Sequence, residues 1–327
     1  MKKRGFFSLI AVLCLMLLIV DSDCAVEGAK TGLDLCIKTV IPSLFPFFVV
    51  SMMLTASMEN DHFIFLGRLA GLLNIPQTAA PVLIPAFLGG YPVGAKSVAD
   101  QYRSGMIEKQ QAERMLAFCS NAGPSFLFGM VTAFFPDKQM IWRLWAIHIL
   151  GAVFTAKLYP LPHPEEIQLS KVQNTKPHRD LMASAVTAMG IVCGWIIVFR
   201  ILISFLYQWL LWLFPQWMQV LLMGFLELSN GCCALMLVSD IRLRFVICSC
   251  MLAFGGICVL LQTFSVAKGL SIHHYLLGKT IQTLFSLVVS TIVSMKHELL
   301  YLIISTFLIG ISVKSKTNGR NLKTYPV

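Results

Sequence analysis

Apolar residues in this chain come in long runs rather than in alternation, and the runs are interrupted at recurring places. Leu35–Ser57, Met140–Tyr159, Leu181–Leu206 and Tyr275–Val293 approach or exceed the roughly 20 residues that a helix needs to cross a hydrocarbon core. No ten-residue alternating pattern of a membrane barrel appears. The expected fold is therefore all-α, a polytopic transmembrane helical bundle whose backbone groups are satisfied within each helix. The opening MKKRGFFSLIAVLCLMLLIV joins a basic start to an apolar core, and no small-residue cleavage site follows, so it is expected to remain as a first membrane helix.

Between the runs lies GGYPVGAKSVADQYRSGMIEKQQAERMLAFCSNAGP, residues 89–124, with helix breakers at both ends and charge in the middle. Gly89, Gly90, Pro92 and Gly94 would cost a continuous helix several hydrogen bonds and backbone entropy, so a break is expected near Gly90–Gly94. A helix follows to a cap at Gly105, a second begins near Glu108, and Asn121, Gly123 and Pro124 break it again. At 1.5 Å per residue the two arms reach roughly 16 and 22 Å, about half a bilayer, so the charged turn is expected to be the wet tip of a hairpin with unwound roots near the midplane. Residues 224–265 repeat this order of parts. A break at Ser229, Asn230 and Gly231 leads to a short apolar arm, a charged turn at Asp240, Arg242 and Arg244, a returning arm, and a break at Gly255 and Gly256. Two repeated broken-helix hairpins are thus expected, with parallel and inverted orientations both open.

The domain division follows. Residues 1–30 form an N-terminal membrane anchor helix, 31–160 a first repeat, 161–180 a polar linker, 181–296 a second repeat, and 297–327 a last transmembrane helix and basic tail.

Composition sharpens the class. The chain has 327 residues, is 57% hydrophobic and 13% charged, and has a mean hydropathy of +0.74. The net charge of +10 would suggest nucleic acid in a soluble protein. Here the cations gather at segment ends (Lys2, Lys3, Arg4; Lys314, Lys316, Arg320, Lys323), the bias that orients loops toward the cytoplasm, so the expected partners are membrane lipids and not nucleic acid. The 10 cysteines form no C-x-x-C pair and read as small buried hydrophobes; no metal site and no cofactor are expected. No H-E-x-x-H or G-x-S-x-G appears, so an enzyme is not expected. Arg143, Lys157 and Arg200 read as interface anchors, and Tyr207, Trp209, Trp212 and Trp217 as an interfacial aromatic belt.

Glu227 is the sharpest single residue, a carboxylate in an apolar run leading into a break. It reads either as a substrate, proton or cation contact or as a hydrogen-bond partner of the unwound backbone beside it. Lys96, just past a break, reads as a site cation or as a side chain snorkelling to the surface.

At IPSLFPFF (41–48), LGGYPVGAK, EKQQAERMLAFCSNAGPSFLFG and GFLELSNG the chain resembles the nucleoside-recognition or Gate-domain membrane proteins, and among them the YlbJ family of sporulation integral membrane proteins. The resemblance implies a multi-pass protein in a membrane around the developing forespore of an endospore former, acting in the movement of dipicolinate toward the spore core. The expected function is therefore a transporter or channel component for a small anionic solute, with a proton or sodium ion as coupling partner. Its substrate site is expected to combine Gly90, Tyr91, Pro92, Gly94, Lys96, Asn121 and Gly123 with Glu227, Asn230, Gly231, Gly255 and Gly256. Half-helix N-termini would offer free N–H groups to carboxylates. A non-transporting scaffold of the spore envelope is the rival expectation.

Overall fold

The structure is a computed structural model that describes Ser8, Val12 and residues 14–57, 64–159 and 181–295. The basic N-terminal residues, the linker 161–180 and the last helix and tail 297–327 lie outside the described residues. The described residues are predominantly helical, with no strand among them. Five helices are long and apolar enough to cross a membrane, or six if the pair Leu66–Leu72 and Gln77–Phe87, bent by 104°, is counted as one. The protein is a multi-pass helical membrane protein.

The first span, Ser22–Val50, crosses the expected domain division at residue 30 without interruption. It begins as α1 (Ser22–Leu35), whose N-terminal Asp21 side chain accepts from the Cys24 N–H, passes through a π-helical turn at Cys36–Val40 and continues as α2 (Ile41–Ser57). Next come α3 (Ile64–Leu72) and α4 (Leu83–Phe87), then the first hairpin, α5 (Val93–Arg103) and α6 (Lys109–Leu116). Gly105, at φ +76°, turns the chain after α5, and the Glu108 N–H donates to Gln111 Oε1 (3.0 Å) to start α6. Short α7 (Pro124–Gly129), with proline in its first turn where no N–H is needed, leads to the 21-residue span α8 (Lys138–Leu158). The second half repeats the order. A 29-residue span α9 (Leu181–Trp209) precedes α10 (Gln216–Leu226) and α11 (Leu228–Cys233), then α12 (Ile241–Phe254), α13 (Gly256–Val266) and the closing span α14 (His273–Met295).

Lipid supplies no hydrophobic drive between helices, so close approach and packing must hold them. Each half's long helix meets the other's, antiparallel. A Cβ on Gly28 would lie 2.9 Å from Ser204 Oγ and one on Gly32 3.0 Å from Ile197 Cα, while Cys36 Sγ reaches the Cys193 carbonyl (3.7 Å). The closing spans pair likewise, with Gly151 against Gln282, Phe154 stacked on Phe285 (5.0 Å) and Tyr159 edge-on to His274 (5.8 Å).

Two buried arginines fix the hairpins relative to these spans. Arg114 of α6 donates to the carbonyls of Asn74 (2.9 Å), Ala156 (3.1 Å) and Tyr159, so the first hairpin lies at the C-terminal end of α8. Arg244 of α12 donates to Val238 O (2.7 and 2.9 Å) and Phe134 O (3.1 Å), so the second hairpin lies at the N-terminal end of α8. Since α8 is about 31 Å long, the tips are on opposite membrane faces. The far end of α12–α13 agrees: Arg103 beside the first tip donates to Val266 O (3.2 Å), and Glu113 accepts from the Ser271 N–H (2.7 Å). The orientation left open by the sequence is inverted.

The second hairpin departs from the expected half-bilayer design in its returning arm. α12 does not end at a midplane break: it continues past Gly255 into α13 closely enough in line that Ile241–Val266 counts as one crossing. Gly255 and Gly256, at φ +82° and +88°, interrupt that crossing rather than end it.

Cysteines introduced at Lys109 and Arg242, both exposed, are expected to react with a membrane-impermeant thiol reagent from opposite sides of sealed vesicles. Labelling of both from one side would overturn the inverted arrangement. A Cβ at Gly94 would fall 1.9 Å from the Cys119 carbonyl oxygen, whereas Gly194 has nothing within 4 Å. Gly94→Ala should therefore destabilise the fold by about 1–3 kcal/mol and Gly194→Ala should not, as read by folded yield after detergent extraction.

Candidate functional site

The roots of the two hairpins meet in the interior. Gly90 and Gly123 bring the two ends of the first hairpin together: a Cβ on Gly123 would lie 3.0 Å from Gly90 N and Cα, and Gly90 adopts φ +76°. Tyr91 projects from this root to the second half, where its hydroxyl donates to Leu252 O (3.0 Å) and its ring covers Gly255. A cavity of about 40 Å³ is lined there by Gly90, Tyr91 and Gly123 on one side and Glu227, Ser229 and Gln262 on the other, floored by apolar side chains of α2 and α9. That volume holds a few waters at most, since one water needs about 10–15 Å³.

Glu227 is 2% exposed and ends α10 in extended backbone. Its carboxylate is the N-cap of α11: Oε1 accepts from Ser229 N (3.1 Å), and Oε2 accepts from Asn230 N (2.7 Å) and Asn230 Nδ2 (2.8 Å). The hydrogen-bonding role weighed from sequence is therefore present, and the residue lines the cavity as well. Asn121 does not face the cavity; it knits the first root together, donating through Nδ2 to Phe118 O (2.7 Å) and Ala86 O (3.3 Å). Gly94 serves the approach of α5 to the Cys119 carbonyl, and Pro92 forms the N-terminal boundary of α5 after a cis Tyr91–Pro92 bond. Gly231 lies against Gly224, and Gly256 against the carbonyls of residues 224–226. Lys96 points toward the tip and pairs with Asp100 (2.7 Å), which Arg103 also holds (2.6 Å). Of the twelve expected residues, Gly90, Tyr91, Gly123 and Glu227 line one cavity. Asn230 links that cavity to a larger pocket, and the other seven shape or flank the roots.

Behind Tyr91 is a polar cluster that the sequence reading passed over. Lys279 of α14 is fully buried; its ammonium donates to Tyr91 Oη (3.1 Å), Gln282 Oε1 (2.8 Å) and the Ser120 carbonyl. Gln282 in turn donates to Asn121 Oδ1 (3.2 Å) and His148 O (3.1 Å), and His148 Nε2 accepts from the Ala122 N–H (3.0 Å). Gly278 makes this possible, because a Cβ there would lie 2.2 Å from the Ala117 carbonyl oxygen. The available signal was the spacing of Lys279, Gln282, Ser286 and Ser290, all fully buried on one face of an apolar helix. A buried lysine within a membrane span is a candidate for a functional site. Among the described residues no group of three His, Cys, Asp or Glu side chains is placed to hold a metal ion.

Over 131 residues, 38% of its length, the chain is 32% identical to the sporulation integral membrane protein YlbJ of Bacillus subtilis (strain 168), and the match covers 31% of that relative. The chain thus spans about a third of the length of the relative it matches. No family model matches the chain. No solved structure matches it.

The cap geometry gives a test. Glu227→Gln replaces one accepting oxygen with an amide that meets N–H donors, so it should destabilise the protein by about 1–3 kcal/mol, seen as a lowered unfolding temperature in detergent. Lys279→Met removes a buried charge but also takes the donor from Ser120 O and Gln282 Oε1, so the two effects should partly offset and the temperature should fall less than in Glu227→Gln. Equal, large losses in both would show that Lys279 is as structural as Glu227.

Proposed function

We propose that this protein carries a small organic anion, dipicolinate in the reading that the motif resemblance favours, across a membrane of the developing spore. The observation that supports this most directly is the meeting of two inverted, broken hairpins at one interior cavity, the architecture in which transporters place their substrate near the midplane between repeats. The charges suit an anion. Glu227 is occupied by three N–H donors, while the Lys279 ammonium is held only by neutral oxygens, so the site keeps a cation in reserve behind Tyr91. At about 40 Å³ the cavity is too small for a pyridine dicarboxylate, so the conformation described is the closed one of the cycle, and the solute enters as the hairpins part. A proton or sodium ion would balance the dianion. No catalytic role is proposed.

The partial likeness to a sporulation integral membrane protein supports the setting in spore formation, and the resemblance at the hairpin motifs supports the forespore membranes as the location. Scaffolding of envelope proteins is the competing reading, favoured by how fully the broken roots are capped.

The deciding measurement is uptake of radiolabelled dipicolinate by vesicles containing the purified full-length chain. Uptake well above protein-free vesicles is expected. Tyr91→Phe, which keeps the ring but cuts the link between Lys279 and Leu252 O, should lower it several-fold at unchanged protein content. Absence of uptake by folded, correctly inserted protein would discard transport and leave the scaffold.

A further inference from the structure

We propose that a second, larger pocket, on the side of the second hairpin tip, is a binding site for a small organic carboxylate held by Arg200. The pocket has a volume of about 480 Å³, within the range of small-molecule sites, and lies between α1, the C-terminal half of α9 and the α10–α11 arm. Arg200 was expected as an interface anchor, but the span runs on to Trp209, which leaves the guanidinium inside the bundle edge. Its stem lies against α1 because residue 32 is glycine: a Cβ there would be 3.1 Å from Arg200 Cβ.

The guanidinium's hydrogen-bonding capacity is largely unspent. Nε is buried with no partner, Nη1 reaches only Asn230 Oδ1 at 3.5 Å, and among the described residues no carboxylate lies within ion-pair distance of Arg200. A carboxylate seated on the Nη edge would accept from both Nη groups as a charge-assisted pair, on the side of the guanidinium away from the buried Nε. Ser204 and Tyr207 line the pocket with hydroxyl-bearing side chains, while Leu35, Ile203 and Met223 give an apolar wall for a ring or short chain. Asn230 then joins the two sites. Its oxygen faces Arg200 while its amide donates to Glu227 Oε2, so an anion arriving at Arg200 acts on a residue whose other contact borders the closed cavity.

The site deepens the transport reading and depends on it for a place along a path, but its ligand chemistry stands on the pocket alone. Cys233 lines the pocket and is exposed, which provides a readout independent of flux. The full chain in vesicles of phosphatidylcholine alone would be treated with N-ethylmaleimide, and modification of Cys233 followed by mass spectrometry with and without benzene-1,3-dicarboxylate as the probe. Cys233 should react, the probe should slow it, and benzene-1,3-dicarboxamide should not. Measured against its own rate without probe, Arg200→Gln should need a probe concentration about tenfold higher or more for protection, the loss of a charge-assisted pair. Arg200→Lys, which keeps the charge without the fork, should fall between.

An unreactive Cys233, equal protection by the uncharged diamide, or protection unchanged in Arg200→Gln would overturn the proposal. So would protection by added phosphatidylglycerol to which the probe adds nothing, since the pocket would then be a lipid headgroup site. Protection without vesicle uptake would keep this site and discard transport, and uptake without protection would do the reverse.

Discussion

A membrane protein that interrupts its helices in mid-bilayer frees amides and carbonyls where no bulk water can reach them, and each must find a partner. Among the described residues, the polar contacts at the hairpin roots answer that requirement. The break after α6 exposes Ser120 O and Ala122 N, and these are taken by Lys279 and His148 from the two closing spans. The break at Gly255 frees Leu252 O, which Tyr91 takes from the opposite half. The break at Glu227 frees the amides of residues 229 and 230, which Glu227 takes itself. The folded state is in this sense a set of mutual caps, with glycines letting the backbones come close enough to use them.

Much of this was legible in the chain because helix breakers have local causes. Gly90, Gly105, Gly123, Gly231 and Gly255 fall where the backbone leaves the right-handed helix or another backbone approaches, and the arm lengths placed the breaks at depth. Orientation was not legible. It depends on an even or odd number of crossings, and the bent segment from Leu66 to Phe87, turned by 104°, cannot be told from a straight span by composition. Arg244 read as an ordinary tip charge and Arg114 drew no reading, yet the two settle the topology by the carbonyls they reach.

The site was half legible for a related reason. Glu227 and Asn121 stood out as polar groups beside breaks, but a sequence does not say whether such a group faces a cavity or its own backbone, and they divide: Glu227 does both and Asn121 only the second. Lys279 was hidden by the average hydropathy of its run, where one cation among leucines and serines barely registers. Lys96, nearer a break, looked the better cation and is instead matched with Asp100 one turn on. Pairing within a helix turn is the simpler fate for a lysine with an acid four residues away.

The two roots are capped by different means, and the difference bears on what can move. The first root is fastened to α8 and α14 by His148, Gln282 and Lys279, so displacing it would strip caps from buried backbone. The second root carries its main cap within itself, since Glu227, Ser229 and Asn230 belong to one short stretch and can shift together with their bonds intact. What joins the halves at the cavity is the Tyr91 contact with Leu252 O and Gly255, one hydrogen bond and one ring face against a glycine. Such a bond contributes about 1 kcal/mol net, a small part of the hold on α12, whose Arg244 is also fixed to Phe134 O (3.1 Å). On the transport reading, the mobile part is therefore the α10–α11 arm, whose caps travel with it, while α12 and the first root stay fixed, and the cavity opens first toward the face that carries Arg200.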